Sequence, residues 1–169
     1  KSIPIGANGT IIKPGMTIMV DACGNFTGYM TDMSRSYKVG EVGELAERAH
    51  RCSVEICHKI AQTARPGVAA KDLVALAEAT VAEAGLADYF MGHKQKAGFI
   101  GHGVGIEINE LPVLSARSKD VLVEGNVIAL EPKFVIPGVG AVGIENTYAI
   151  TATGTECLTN MPEDLQQLM

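Results

Sequence analysis

The sequence has 169 residues, 47% hydrophobic and 20% charged, a balance that supports one globular domain with its own core. Its formal net charge is -5, and the only basic run is Lys94 to Lys96, which argues against a nucleic-acid partner. No apolar run reaches the ~18 residues of a membrane span, and no signal peptide is visible.

The chain opens on Lys1 and Ser2 without a Met, as a piece of a longer product would. Met16 to Asp21 is short, apolar and rich in β-branched residues, and follows a Lys13-Pro14-Gly15 turn, so it predicts a buried strand. Gly24-Asn25 then fits a turn, and Tyr29 to Lys38 alternates as a second strand, giving a hairpin with Asp21 on one arm and Asp32 on the other. Glu41 to Thr63 has helical periodicity, with Leu45, Ala49, Cys52, Ile56 and Ile60 along one stripe. A second helix is expected over Lys71 to Ala84, stopped by Gly85. A polar stretch leads into the glycine-flanked His102. Strands follow at Val127 to Leu130, Lys133 to Ile136 and Val142 to Ile150, and a short helix is expected over Pro162 to Leu168. Cys23, Cys52, Cys57 and Cys157 form no C-x-x-C pair and read as reduced packing residues of a cytoplasmic protein.

The most informative feature is an internal repeat. Pro14-Gly15-Met16-Thr17-Ile18-Met19-Val20-Asp21 resembles Glu124-Gly125-Asn126-Val127-Ile128-Ala129-Leu130-Glu131: a turn, an apolar strand, and a carboxylate at its end. Each half then crosses a glycine-containing turn to a second carboxylate, Asp32 in one and Glu145 in the other. Two such halves about a pseudo-two-fold axis bring four acids to a common centre. Buried together and unpaired, they would repel one another and lose their charge. Two divalent cations remove that penalty and can acidify a water between them. His102, between Gly101 and Gly103, is a natural fifth ligand. Oxygen donors with one imidazole suit Mn, Co, Zn or Fe alike.

The patterns V-D-A-C-G-x(4)-Y-x-x-D-x-S-R-S, G-H-G-V-G-I-E-I-N-E-x-P, A-L-E-P and G-I-E-N-T, spread over about Ile12 to Gly154, resemble those of the pita-bread metallopeptidases. That group holds the methionine aminopeptidases, the Xaa-Pro aminopeptidases and the Xaa-Pro dipeptidases (prolidases). The resemblance implies an α+β pita-bread fold, with helices packed on a curved antiparallel sheet, and residues 1–169 as a single catalytic domain lacking its N-terminal portion. It implies two divalent metal ions held by Asp21, Asp32, His102, Glu131 and Glu145, with Glu131 also shuttling a proton and His102 serving the catalytic step as a ligand. The Glu131-Pro132 dipeptide and the short gap to Glu145 resemble the Xaa-Pro branch, which implies a small peptide substrate cut before proline. Relatives of this kind are often homodimers, so a homodimer is an expected assembly.

Three departures from the family pattern keep other readings open. Seven residues after His102, where the peptidases usually carry a second, substrate-facing His, this chain has Asn109. Two residues before Glu145, many Xaa-Pro enzymes have an Arg; here Gly143 stands. The family's upstream segment is also absent. A non-catalytic or repurposed binding module, a creatinase-like C–N hydrolase and a methionine-aminopeptidase-like enzyme therefore stand beside the Xaa-Pro peptidase.

Overall fold

The computed structural model describes residues 9–168; the opening Lys1 and Ser2 lie outside them. The element order is β1 (Thr17–Phe26), β2 (Tyr29–Val39), α1 (Glu44–Thr63), α2 (Ala70–Glu83), β3 (Gly101–Gly103), β4 (Glu110–Leu114), β5 (Val127–Leu130), β6 (Lys133–Ile136), β7 (Gly140–Gly143), β8 (Asn146–Ile150), β9 (Thr155–Cys157) and β10 (Gln166–Leu168). This is the expected mixture of helix and largely antiparallel sheet.

β1 and β2 form a long hairpin whose register pairs Cys23 with Asp32 and Asp21 with Ser34. The strand runs on through Gly24-Asn25, where a turn was expected. The chain reverses instead at Thr27-Gly28, both at positive φ (53° and 95°). That two-residue turn matches the twist of the strands it joins, and Asn25 supports it by accepting a hydrogen bond from the Gly28 N–H.

α1 begins after Gly43 with Glu44 and Glu47 in its first turn, where acids favour the helix dipole. Its stripe Ala49, Cys52, Ile56 and Ile60 is fully in the core, and α2 adds Leu73, Ala77 and Val81. The helix packs on β6 and β7 as well as on α2.

The strands form a sheet of order β1-β2-β10, a second of order β4-β3-β5-β8-β9, and the hairpin β6-β7. The two larger sheets meet at one bridge between Ser34 and Glu145, whose backbones exchange hydrogen bonds of 3.4 and 3.0 Å. That bridge joins the two sequence repeats beside their acids. In the first repeat β1 pairs directly with β2; in the second, β5 pairs with β8 and the β6-β7 hairpin is inserted between them.

Two further expectations need correction. Pro162 to Leu168 is not helical: its last three residues add to β2 as a parallel strand. A seven-residue segment is too short to sustain a helix by itself, and here its backbone is held elsewhere. Arg35, 1% exposed, donates to the Met161 and Pro162 carbonyls, to those of Ser34 and Glu145, and to Asn146 Oδ1. The first strand is also not buried throughout. β1 is a sheet edge, Val20 is 48% exposed, and Asp21 is exposed.

Candidate metal centre

The two repeats deliver their acids to one place. Asp21 and Asp32 face it from β1 and β2. Glu131 lies just beyond the end of β5 and Glu145 just before β8. His102 enters on β3, a strand paired on both sides. Those glycines serve close packing: a Cβ at Gly101 would strike the Ala129 carbonyl, and one at Gly103 the Leu111 carbonyl. Only glycine lets neighbouring backbone approach so closely.

The donor atoms fall into two overlapping groups. Asp32, His102 and Glu145, all buried, have ligand atoms within 4.8 Å of one another, and so do Asp21, Cys23 and Asp32. Asp32 belongs to both, and its two oxygens are divided between them. Oδ2 lies 3.6 Å from His102 Nε2, while Oδ1 accepts a hydrogen bond of 3.3 Å from the Cys23 thiol. His102 Nε2 also lies 3.6 Å from Glu131 Oε1. Its Nδ1 is 3.0 Å from the Gly103 carbonyl, which can only accept, so Nδ1 donates there and Nε2 is the ring nitrogen turned to the centre.

The neighbours hold this arrangement from behind. Ser34 donates to Glu145 Oε2 at 2.7 Å, and Thr147 donates to the Asp32 carbonyl at 2.7 Å. Ser53 of α1 donates to the carbonyl of Pro132 and accepts from the N–H of Ile144, so one hydroxyl clamps the residues beside Glu131 and Glu145. Lys133 pairs with the second oxygen of Glu131. It stands directly across the β6-β7 ladder from Gly143. Gly143 has φ +151°, and a Cβ there would come within 2.6 Å of the Pro132 carbonyl, so no Arg fits this backbone. The cation at this corner comes from the neighbouring strand.

The electrostatics show crowded acids. Glu145 is pushed up to about 8, first by burial and then by the charges of Glu131 and Asp32, with the Ser34 hydroxyl opposing. Burial raises Asp32 as well, although the Cys23 thiol and His102 work against it. Cys23 rises to about 12, through burial and then the Asp32 carboxylate. A divalent ion among these groups reverses each of those penalties, and the donor set of carboxylates and one imidazole fits such ions. Asp32, Glu145, Glu131 and His102 share a cavity of about 450 Å³ with Asp21, Cys23, Lys133 and the exposed Asn109. Beside it, Phe99, Leu111 and Val113 line a smaller apolar recess of about 280 Å³ that also touches His102 and Asn109.

The structure thus brings all five expected ligands together. Ser34, Ser53 and Lys133 are positioning groups that motif spacing did not reveal. Cys23 is an exposed residue of the site rather than core packing, whereas Cys52 and Cys57 are buried as expected. The alternation of β1 put Cys23 on the face of Asp21, a signal legible beforehand.

Among known proteins, the model of metallopeptidase family M24 matches residues 1–152. An Xaa-Pro dipeptidase of Pyrococcus horikoshii is 35% identical over 154 residues, covering 91% of this chain and 42% of its own length. The crystal structure of an X-Pro aminopeptidase from Thermotoga maritima superposes with a TM-score of 0.88 at 26% identity, covering 99% of this chain and 46% of that one. A methionine aminopeptidase from the same organism gives a TM-score of 0.74 at 27% identity, with coverage of 92% and 68%. The chain therefore spans less than half the length of the Xaa-Pro relatives, and its fold is the pita-bread fold of those structures.

Proposed function

The chain belongs to metallopeptidase family M24, and from that premise we propose that it is the metal-binding part of a dinuclear exopeptidase that cuts small peptides before proline. The observation that supports this most is the division of Asp32 between two donor groups, one with His102 and Glu145 and one with Asp21 and Cys23. A carboxylate shared in this way suits two ions of a few ångströms' separation. We assign Asp21, Asp32, His102, Glu131 and Glu145 as their ligands, and Mn, Co, Zn or Fe as the candidates. The greater likeness to Xaa-Pro enzymes than to the methionine aminopeptidase favours the Xaa-Pro branch. We extend the reading to residues 1–169 as part of one catalytic domain, to a cytoplasmic location on the strength of four unpaired thiols, and to a homodimer by analogy with the family.

The ions supply Lewis acidity, polarising a scissile carbonyl and acidifying water. The protein's own groups do the rest. Glu131 takes a proton from the attacking water and returns it to the departing imide nitrogen. Lys133 holds one Glu131 oxygen, which leaves the other facing the centre. His102, held through Nδ1 by the Gly103 carbonyl, keeps its imidazole aimed at the centre. Asn109 donates its amide N–H to the substrate carbonyl, without the positive charge a His could add. The apolar recess beside His102 accepts a substrate side chain.

A binding module without turnover is the second reading, and Asn109 is the residue that favours it. The test is hydrolysis of Xaa-Pro dipeptides and longer Xaa-Pro peptides by the purified chain with Mn2+. Turnover that stops on chelation is expected, and Asn109→His should raise kcat/KM by about 10²-fold, the usual scale for an oxyanion donor. Metal-loaded protein with no turnover, before and after the substitution, favours the binding module.

A further inference from the structure

The outer donor group contains an atom that the proposed ligand set does not use. Asp21 and Cys23 lie two residues apart on β1, so their side chains share one face of the strand. Cys23 is the direct cross-strand partner of Asp32. Its sulfur lies 3.3 Å from Asp32 Oδ1 and 3.9 Å from Asp21 Oδ1. Zn–S bonds of about 2.3 Å and Zn–O bonds of about 2.1 Å in a tetrahedral shell put sulfur and oxygen about 3.6 Å apart, between those two distances. A second observation singles out the same oxygen. His102, with its side chain 5% exposed, faces Oδ2 of Asp32, so the inner position draws on Oδ2 and leaves Oδ1 to the group that holds Cys23.

We propose that Cys23 is a sulfur ligand of the outer metal position, so that this centre pairs an inner ion bound by oxygen and nitrogen with an outer ion bound partly by thiolate. The proposal rests on the dinuclear reading above. On ligation the S–H bond is replaced by an S–metal bond and the proton leaves to water; neither sulfur nor metal changes oxidation state. A soft thiolate shifts the outer position toward Zn2+, Co2+ or Cd2+ and away from Mn2+, while the inner position keeps the preferences of carboxylate and imidazole.

The test is a Co2+ titration of the purified chain followed by absorption spectroscopy, with calorimetric titrations of Cd2+ and Mn2+ beside it. A near-ultraviolet thiolate-to-cobalt band should grow with one of two cobalt ions, persist in Cys157→Ser, whose thiol is also exposed, and vanish in Cys23→Ser. Cd2+ affinity at one position should fall at least about tenfold in Cys23→Ser, with Mn2+ affinity nearly unchanged. X-ray absorption at the zinc edge gives a check on the wild-type chain that no substitution can confound. With two zinc ions bound it should show sulfur at about 2.3 Å. Uptake of two ions without the band, or a band that survives Cys23→Ser, overturns the sulfur ligand and leaves the dinuclear reading standing. No uptake of metal at all overturns both.

Discussion

The strands that lead into Asp21 and Glu131 share a sequence pattern and differ in their surroundings. β5 lies between β3 and β8, and Ile128, Ala129 and Leu130 are fully buried. Among the described residues β1 is the edge of its sheet; Val20, the counterpart of Leu130 in the repeat, is 48% exposed, and Asp21 is exposed where its counterpart Glu131 keeps only 12% of its side chain exposed. One pattern therefore fixes where a carboxylate stands along a strand, while neighbouring strands decide how far it is withdrawn from water. The consequence is an asymmetric centre: a buried group of Asp32, His102 and Glu145 beside an open group of Asp21, Cys23 and Asp32.

The largest difference between the halves should appear in metal affinity. Glu145→Gln is expected to weaken Mn2+ binding more than about 100-fold, against about tenfold for Asp21→Asn, because solvent water replaces a lost oxygen more readily at the exposed Asp21 than at the buried Glu145. Calorimetric titration measures both, and equal losses would erase the asymmetry.

Next in size is a pH effect from the closed half. In the metal-free protein Glu145 keeps its proton up to about pH 8, while the unfolded chain releases it near its ordinary 4.5. The unfolded state thus binds fewer protons through this window, and stability falls as pH rises from about 4.5 to about 8. The loss is on the order of 5 kcal/mol and levels off above that range. Denaturant unfolding across pH should show this slope in the apo protein and a much flatter one with saturating Mn2+ or in Glu145→Gln. A flat apo profile would mean that this carboxylate is better solvated than its surroundings indicate.

Smaller effects come from the strands themselves. Leu130→Ala should cost about 2–5 kcal/mol by opening a cavity in the core. Val20→Ala, at the same place in the repeat, should stay within about 0.5 kcal/mol. Thermal unfolding of the two variants compares the halves without reference to metal.

Much of this was legible in the sequence because strand period, turn residues and the repeat are local signals. The hairpin arms, both helices and the four acid positions follow from them, while His102 drew its weight from the family resemblance. The rest depends on long-range packing. The open edge of β1 reflects the absence, among the described residues, of a neighbouring strand on one side, which no property of Met16 to Asp21 encodes. The extended Pro162 to Leu168 answers to Arg35, more than 120 residues earlier. The Thr27-Gly28 turn needed a positive φ at a threonine, which turn preferences do not favour. Lys133 opposite Gly143 became visible only once β6 and β7 were in register.

The central claim is that the two halves share one centre that only cations make tolerable. Metal content of the chain, purified without chelator and equilibrated with Mn2+, tests it most directly. About two ions per chain, reduced by both Glu145→Gln and Asp21→Asn and more by the first, is the predicted result; a chain that retains no metal would contradict it.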